Sequence, residues 1–317
     1  MSYGTINADT LQNSGGFTAS ASSIPFRNRI INGAMAIAQR GTSSTSAGYQ
    51  TLDRWYGNAS NSTTFAQTSS FLPTGFMNAF QLTAGATAQM WIQQPVETKN
   101  CFDLAGQNVT LSCQLAASTA TNVTLYLYYS TSVDNPASGS WTAIGSSAVS
   151  VGTSYASYSA TFAVPSTAKT IMPQIITTST VASGTSIYIT GVQLEKGSVA
   201  SSFEYRPYGT EIALCQRYTR TYGDGLSGIA NASNTWYSNI AFENPMRAAP
   251  SGSLLSTAIK ISDQYSLDAT SSGSTITSSN LSSCGGRIDI GGWSGLTQGR
   301  FYSPYGNGLF LLLSAEL

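Results

Sequence analysis

Aromatic side chains set among glycines, serines and amides are the residues of this sequence best suited to recognition chemistry. An aromatic ring stacks on an apolar ligand face, and neighbouring hydroxyl and amide groups bind a neutral, hydroxylated ligand such as a sugar. The candidates for a glycan-binding surface are Trp236, Tyr237, Trp293, Tyr302 and Tyr305, and the preferred surface cluster is Trp293, Phe301, Tyr302 and Tyr305. A second group of candidates lies earlier in the chain: Trp91, Tyr126, Tyr128 and Trp141. For any single ring, burial in a core or between subunits is the competing interpretation.

The sequence gives little evidence of a catalytic site. The chain has no histidine, which excludes Ser-His-Asp and Cys-His catalysis. The segment GDGLSG at 223–228 matches a dinucleotide fingerprint only by spacing, because no βαβ pattern surrounds it. A glycosidase needs two carboxylates that flank a cleft, and the spacing of the acidic residues singles out no pair. The sequence therefore predicts a protein that is not an enzyme.

Metal and redox chemistry are also weakly represented. The four cysteines are Cys101, Cys113, Cys215 and Cys284, and none forms a CxxC pair. Without histidine, this pattern argues against an ordinary zinc site. Cys113 falls within an alternating apolar pattern and is predicted to be a small core residue. A disulfide between Cys101 and Cys113 would be unneeded in a chain of this size, and no cofactor is expected.

The charge balance limits the kinds of partner. Only 9% of the 317 residues are charged, and 14 basic residues balance 14 acidic ones. Nucleic acids and anionic membranes attract a basic excess, so neither is expected as a partner. No apolar stretch is long enough for a membrane span, and the polar N-terminus lacks the pattern of a signal peptide. The 49 Ser and 37 Thr residues indicate a neutral hydrogen-bonding surface, and the abundant aromatics argue against disorder.

An alternating apolar pattern dominates residues 65–205 and predicts β-strands. Four runs show it most clearly, at 108–116, 122–130, 156–164 and 187–194. In the last run the phase slips at Gly191, as a β-bulge would make it slip. Several short strands with almost no helical periodicity predict an all-β fold with a central jelly-roll β-sandwich.

The flanking regions differ from this central domain. Residues 1–30 are polar and are predicted to be an extended arm. Residues 31–208 form the predicted jelly roll, and residues 209–317 form a smaller C-terminal β domain. At their boundary, residues 211–218 suit either two helical turns or a strand, and we favour a short helical turn that leads into a strand. The C-terminal domain is thin for an independent core, so pairing with copies of itself is expected.

Two motifs flank the predicted jelly roll. The first is NRIINGAMAIAQRG at 28–41, followed by LDRW at 52–55. The second is ITGVQLEKG at 189–197, followed by FEYRPYG at 203–209 and EIALCQRY at 211–218. We interpret the first as an opening strand with Ile31, Met35 and Ile37 as apolar anchors, and the second as the closing strand that it meets. The LDRW segment most simply supplies a buried Trp55 with a neighbouring ion pair.

Together these motifs resemble phage and prophage tail-fibre or appendage proteins whose central domain is similar to carbohydrate-binding jelly rolls. The resemblance covers roughly residues 28–222. It implies a homotrimer, a virion location after assembly in the bacterial cytoplasm, and binding to a host surface polysaccharide. The arm at 1–30 would then attach to another virion protein, and the domain at 209–317 would trimerise or contact the receptor.

Two alternatives to this function stay open. One is a capsid or baseplate fibre or connector without a ligand, and the other, less favoured, is a glycan depolymerase. Carbohydrate-binding jelly rolls often hold a structural calcium with acids near the closing strand, yet Thr190 and Gly191 stand there in this chain. Calcium needs six or more oxygens, so a site at Glu195 or Asp53 is not favoured.

Overall fold

The computed structural model describes residues 10–12, 18–20, 26–134, 140–263, 268–271 and 273–317. The chain divides into two compact units. The first comprises the residues up to Ala36, residues 42–207 and Leu317, and the second comprises residues 37–41 and 208–316. All strand pairs within the described residues are antiparallel.

The first unit contains thirteen described strands, one helix of four residues and one 3₁₀ turn at Phe102–Leu104. The strands are β1 Thr10–Gln12, β2 Thr18–Ser20, β3 Ser43–Ser44, β4 Tyr56–Ala59, β5 Thr63–Thr68, β6 Ala79–Ala84, β7 Met90–Gln93, β8 Asn108–Ala117, β9 Thr121–Ser130, β10 Thr142–Val151, β11 Ala156–Ala163, β12 Thr170–Thr177 and β13 Ser186–Lys196, and the helix is α1 Thr98–Cys101.

Two of the sheets make a β-sandwich. One has five strands in the order β10-β9-β12-β7-β4, and the other has six in the order β11-β8-β13-β6-β5-β3. Sequence alternation explains this layering, since every second residue of a strand faces the same side. In β8, the predicted inward residues Val109, Leu111, Cys113 and Leu115 are buried. The prediction of a mostly β chain with a central β-sandwich is confirmed.

The closing strand β13 contains the predicted bulge. Its register against β8 shifts between Thr190 and Gln193, and Gly191 adopts a φ of +60°. Glycine tolerates this left-handed conformation because it has no Cβ. The bulge lets Ile187 and Ile189 on one side of it, and Val192 and Leu194 on the other, all lie in the core.

The first motif meets β13 as expected, although it is not a strand. Residues 28–31 run without regular secondary structure, and Asn32 and Met35 adopt positive φ values that break any strand. The Arg29 N–H donates to the Leu194 carbonyl (2.8 Å), and the Val192 N–H donates to the Gly33 carbonyl (2.9 Å). The prediction of an opening strand is therefore wrong. The first motif contacts β13 through side-chain hydrogen bonds and isolated backbone hydrogen bonds, not through a β-ladder. Its anchors Ile31, Met35 and Ile37 are nevertheless buried.

Asn28 is the main side chain that joins the two motifs. Its Oδ1 accepts from the Ile30 N–H (2.9 Å) and the Leu194 N–H (3.0 Å), and its Nδ2 donates to the Val192 carbonyl (3.2 Å). Trp55 lies in the core as predicted, and its indole N–H donates to the Asn32 carbonyl at 3.0 Å. The two motifs therefore hold one another through buried polar contacts.

The second unit contains one helix of nine residues and ten described strands. These elements are α2 Tyr208–Gln216, β14 Thr219–Gly223, β15 Gly228–Ala232, β16 Thr235–Ala241, β17 Ser251–Leu254, β18 Lys260–Ser262, β19 Asp268–Thr270, β20 Thr275–Ser282, β21 Gly285–Gly291, β22 Phe301–Pro304 and β23 Leu309–Ser314. The helix followed by β14 confirms the favoured interpretation of residues 211–218.

Two sheets build the second unit, one with the order β14-β23-β17 and one with the order β19-β18-β22-β15-β16-β21-β20. Their core includes Phe310, Leu311 and Leu313 of β23 and Ile288 and Ile290 of β21. The segment 37–41 belongs to this unit, where the Gln39 amide donates to the Thr219 carbonyl at 3.0 Å. Arg40 forms an ion pair of 3.1 Å with Glu316.

In the predicted N-terminal arm, β1 and β2 pair with each other, and the remaining residues up to 25 lie outside the described residues. Cys101, Cys113 and Cys215 are buried, Cys284 is exposed, and none of the four forms a disulfide. None of the helices in the described part of the chain combines the length and apolarity of a membrane-spanning segment. Attachment and trimerisation, the roles predicted for the arm and the C-terminal domain, stay predictions.

Candidate functional site

The outer face of the five-stranded sheet presents aromatic and amide side chains. On β9, Val123, Leu125 and Leu127 point into the core and are at most 1% exposed. The alternate residues Tyr126 and Tyr128 therefore point outward, and both are half-buried. Local alternation alone decides this orientation, because exchanging the two faces would expose the apolar set to water.

The register of the strands places further outward-facing side chains beside Tyr126 on the neighbouring strands. Tyr126 is the register partner of Gln174 on β12, and Gln174 is the partner of Gln93 on β7. Gln93 in turn lies opposite Tyr56 on β4, and Trp91 is two residues before Gln93 on the same face. We call this set the tyrosine face, and its members are Tyr56, Trp91, Gln93, Tyr126, Tyr128 and Gln174.

Hydrogen bonds and ring contacts fix these side chains. The Gln174 amide N–H donates to Oε1 of Gln93 at 2.9 Å, and the Tyr128 hydroxyl lies 3.5 Å from Oε1 of Gln174. The Tyr126 and Tyr128 rings stack with centroids 5.5 Å apart and planes inclined by 20°. Such contacts hold the rings in place before a ligand arrives, which reduces the entropy lost on binding.

The tyrosine face is electrically neutral. Strands β4, β7, β9, β10 and β12 contain no Asp, Glu, Lys or Arg. Burial, and secondarily the neighbouring Tyr126, raises the pKa of Tyr128 above its ordinary value, so the phenol stays a neutral donor at physiological pH. The surface offers flat rings beside amide and hydroxyl groups, and this combination suits a neutral, hydroxylated ligand.

The structure corrects the preferred sequence candidates in the second unit. Trp236 and Tyr302 have no exposed surface and Trp293 is only 5% exposed. The two indoles meet edge to face with centroids 6.4 Å apart, and their N–H groups donate to the carbonyls of Tyr302 and Ile259. The expectation that Trp293 and Tyr302 lie in a surface cluster is wrong, and Trp236 is not an accessible candidate, because all three rings are part of the core of their unit.

The remaining candidates of the second unit are accessible. Tyr305 is 40% exposed and Phe301 is 53% exposed. Tyr237 is half-buried, and the guanidinium of Arg287 lies 3.8 Å from its ring centroid. Arg287 also forms an ion pair of 2.5 Å with Asp289. A cation already covers Tyr237, and glycan binding by Tyr237 or Tyr305 stays a prediction.

Of the earlier candidates, Tyr126, Tyr128 and Trp91 come together on the tyrosine face. Trp141 is half-buried and directly precedes β10. Sequence reasoning missed Tyr56, Gln93 and Gln174. Period-two alternation places Gln174 outward on its strand, yet no local signal reveals that it lies between Tyr126 and Gln93.

The residues considered for calcium have other partners. Glu195 accepts hydrogen bonds from the Ser201 N–H (2.8 Å), the Ser201 hydroxyl (2.6 Å) and the Gln193 amide (2.9 Å). Asp53 is fully buried. Within the residues that the structure describes, no three Cys, Asp or Glu side chains gather closely enough to share a metal ion.

Comparison with known proteins gives remote structural likenesses. No protein family matches the sequence, and no curated protein matches it. A family 4 carbohydrate-binding module is similar at 14% identity and a TM-score of 0.36, over 52% of this chain and 98% of that chain. A family 61 module in complex with β-1,4-galactotriose is similar at 11% identity and a TM-score of 0.37, over 54% of this chain and 99% of that chain.

A phage protein is also among the similar structures. The enzymatically active domain of tailspike protein 4 from bacteriophage CBA120 has 14% identity and a TM-score of 0.38, over 55% of this chain and 22% of that chain. At TM-scores below 0.5, these likenesses are too remote to bear on function.

Proposed function

We propose that this chain is a non-enzymatic structural protein of a bacteriophage particle, a tail-fibre or appendage subunit, and that its tyrosine face binds a neutral host-surface glycan. The observation that carries the binding proposal is the in-register row Tyr126–Gln174–Gln93–Tyr56 across an uncharged sheet. Tyrosine rings stack on the C–H faces of sugars, and the amides between the rings bind sugar hydroxyls.

The shape of this surface favours a polymer over a small molecule. The row crosses four neighbouring strands, which lie about 4.8 Å apart in a sheet. It therefore extends over about 14 Å, long enough for several sugar rings in succession. Weak contacts at each ring add up along a chain, and several copies of the subunit on one particle would strengthen binding further.

The virion role is supported by the resemblance of the two motifs. They contact each other in the fold through Asn28, Val192 and Leu194, which gives a structural reason for their joint occurrence. The N-terminal arm would attach the subunit to another virion protein. Assembly in the host cytoplasm would precede release on lysis.

Self-association as a homotrimer is the second part of this proposal. The second unit carries five large apolar side chains that are at least 40% exposed, namely Tyr208, Leu255, Phe301, Tyr305 and Leu309. Exposed apolar side chains of this size are candidates for a subunit interface. Light scattering of the full chain should give three times the monomer mass, and Leu309→Arg should lower it. A monomeric full chain would contradict the trimer.

Affinity for glycans tests the binding proposal directly. The full chain would be applied to an array of neutral and charged bacterial surface glycans, beside the double variant Tyr126→Ala/Tyr128→Ala. Each lost ring removes about 1 kcal/mol of stacking, so we expect at least about a tenfold loss of affinity for the bound neutral glycan. The matched control Phe102→Ala removes an exposed ring outside the tyrosine face and should bind like the parent.

A parallel variant separates the two candidate surfaces. Tyr237→Ala/Tyr305→Ala removes the two accessible tyrosines that the sequence proposed as ligand contacts in the second unit. With its oligomeric mass verified by light scattering to equal that of the parent, this variant should leave glycan binding unchanged. If that variant loses binding while Tyr126→Ala/Tyr128→Ala keeps it, the glycan site lies in the second unit. If the parent chain binds no glycan on the array, the ligand-free fibre or connector becomes the better function.

A further inference from the structure

The outer face of the six-stranded sheet contains a groove of about 490 Å³. The sheet supplies its floor, and the loops around Phe76 and Phe203 supply its walls. We call it the serine groove, and its principal lining residues are Phe76, Ser112, Gln114, Ser157, Ser159 and Tyr205. It lies on the opposite sheet from the tyrosine face, so the two surfaces share no side chain.

The floor of the serine groove is a patch of hydroxyl and amide groups. Ser112 lies opposite Ser159, and Gln114 lies opposite Ser157, in the β8–β11 ladder. Ser157 and Ser159 are exposed. The Gln114 amide donates to the Ser157 hydroxyl at 2.6 Å. These neighbouring groups can both donate and accept hydrogen bonds, as a ligand rich in hydroxyl groups requires.

The wall of the serine groove is a cluster of three aromatic rings. Phe76 lies 5.2 Å from Phe203 and 5.4 Å from Tyr205, measured between ring centroids. Phe203 and Tyr205 meet edge to face at 4.9 Å. Tyr205 is 56% exposed, so part of an aromatic surface stands open beside the polar floor.

Hydrogen bonds to side chains of β13 fix the segment that contains Phe203 and Tyr205. Ser201 also lines the groove, and its backbone N–H and its hydroxyl both donate hydrogen bonds to the Glu195 carboxylate. Glu204 lies between Phe203 and Tyr205 in sequence, and its backbone N–H donates to Oε1 of Gln193 at 2.9 Å. Phe76 rests on the bulge at Gly191. A site with fixed walls loses little entropy when a ligand binds.

We propose that the serine groove is a second saccharide-binding site, specific for a neutral sugar unit. None of the residues that line it carries a charge at neutral pH, which disfavours phosphorylated or acidic ligands. Its volume falls within the range of about 300–1,000 Å³ that is typical of small-ligand sites. A sugar would stack one face on Tyr205 and Phe76 and hydrogen-bond to Ser112, Gln114 and Ser159.

Two sites on opposite sheets would let one subunit contact two glycan strands, or two segments of one long strand. The groove has aromatic walls beside its floor, whereas the tyrosine face consists of side chains that follow one another across the strands of a sheet. We therefore expect the groove to select a particular sugar unit and the tyrosine face to bind along a chain. The groove proposal does not depend on the tyrosine face, since no residue is common to both.

The test uses the full chain on an array of neutral oligosaccharides, followed by calorimetric titration with each oligosaccharide that binds. Ser159→Trp places a bulky ring in the groove from an exposed position, and Tyr205→Ala removes part of the wall. The matched control Ser154→Trp adds the same ring at an exposed serine outside the lining. Circular dichroism would verify that each variant is folded.

We expect Ser159→Trp and Tyr205→Ala each to weaken at least one oligosaccharide by tenfold or more, while Tyr126→Ala/Tyr128→Ala leaves that ligand unchanged. The proposal is overturned if the array profile and the stoichiometry of Ser159→Trp match those of the parent and of Ser154→Trp. If only the groove variants lose binding, the groove proposal stands and the tyrosine face fails. If only the tyrosine variants lose binding, the reverse holds.

Discussion

The ring of Phe76 lies against the backbone of Gly191, so closely that a Cβ on Gly191 would fall 2.7 Å from the ring's Cζ atom. Gly191 also has a φ of +60°, which side chains with a Cβ rarely adopt. Two independent constraints therefore require glycine at this bulge. One is the backbone conformation, and the other is the aromatic ring that rests on it.

Gly191→Ala should destabilise the first unit through both constraints. Left-handed backbone costs a residue with a Cβ about 1–2 kcal/mol, and displacing the Phe76 ring costs about 1 kcal/mol more. Gly184→Ala is the matched control, because its φ is +84° and a Cβ there would meet nothing within 4 Å. Urea denaturation should show Gly191→Ala as the less stable variant. Equal losses for the two would show that the ring yields freely.

Asn28→Ala should destabilise the junction of the two motifs. The Asn28 side chain is 4% exposed and makes three hydrogen bonds, to Ile30, Val192 and Leu194. Its loss leaves buried backbone groups without partners, at about 1–3 kcal/mol each, and we expect a total loss of about 2–4 kcal/mol. The exposed Asn61→Ala serves as the control in the same urea titration. A loss below about 0.5 kcal/mol, the range of surface substitutions, would contradict a joining role for Asn28.

Trp293→Ala should destabilise the second unit through its core. The side chain is 5% exposed, contacts Trp236 and donates to the Ile259 carbonyl. Truncating a buried tryptophan costs about 3–5 kcal/mol. Asn239→Ala, at an exposed polar position of the second unit, should change stability by no more than about 0.5 kcal/mol. Thermal unfolding followed by tryptophan fluorescence would distinguish the two, and near-equal midpoints would mean that Trp293 is not a core residue.

Alkaline pH should destabilise the first unit. Burial raises the pKa of the Cys101 thiol from 9.0 to about 12, and burial also raises the pKa of Cys113. The folded state then holds its protons while the unfolded state releases them above pH 9, so stability falls as pH rises from about 9 towards 12. Each such thiol lowers the free energy of unfolding by about 1.4 kcal/mol per pH unit within this window.

Urea midpoints between pH 7 and 11 would measure this loss. Cys101→Ala removes one of the two thiols and should make the decline of the urea midpoint above pH 9 shallower. Below pH 8 the Cys101 thiol is protonated in both states, so this substitution should not change how the midpoint depends on pH there. The exposed Ser154→Ala, which removes no titratable group, should leave the slope unchanged. An identical slope for Cys101→Ala and the parent would show that the thiol does not ionise differently in the two states.

The strands of the sandwich were predictable because their signal is local. In β8 and β9, apolar and polar residues alternate without a break, and a strand must then bury one set. The bulge at Gly191 was also predictable, since one extra residue in a strand shifts the alternation by one position, and glycine tolerates the backbone conformation that the shift requires. The helix α2 was less certain, because nine residues carry too little periodicity to exclude a strand.

The sequence did not reveal which distant segments pair with one another in the sheets. Gln174 and Gln93 are 81 residues apart, and only the order of the five-stranded sheet brings them together beside Tyr126. The segment 37–41 illustrates the same limit, since the first motif continues through it without a change of composition while the fold assigns it to the second unit.

The sequence by itself determined the all-β class, the central sandwich, the neutral surface and the absence of histidine chemistry, because composition and alternation are properties of neighbouring residues. Tertiary structure decided which aromatic rings are accessible. Trp293 and Tyr302 lie among glycine-rich turns in sequence, and Trp236 lies in an alternating strand pattern. Sheets from distant segments nevertheless bury all three rings, while Tyr126 and Tyr128 stay on the surface. An aromatic side chain suits a core and a binding surface equally well, so only the strands stacked around it determine which role it takes.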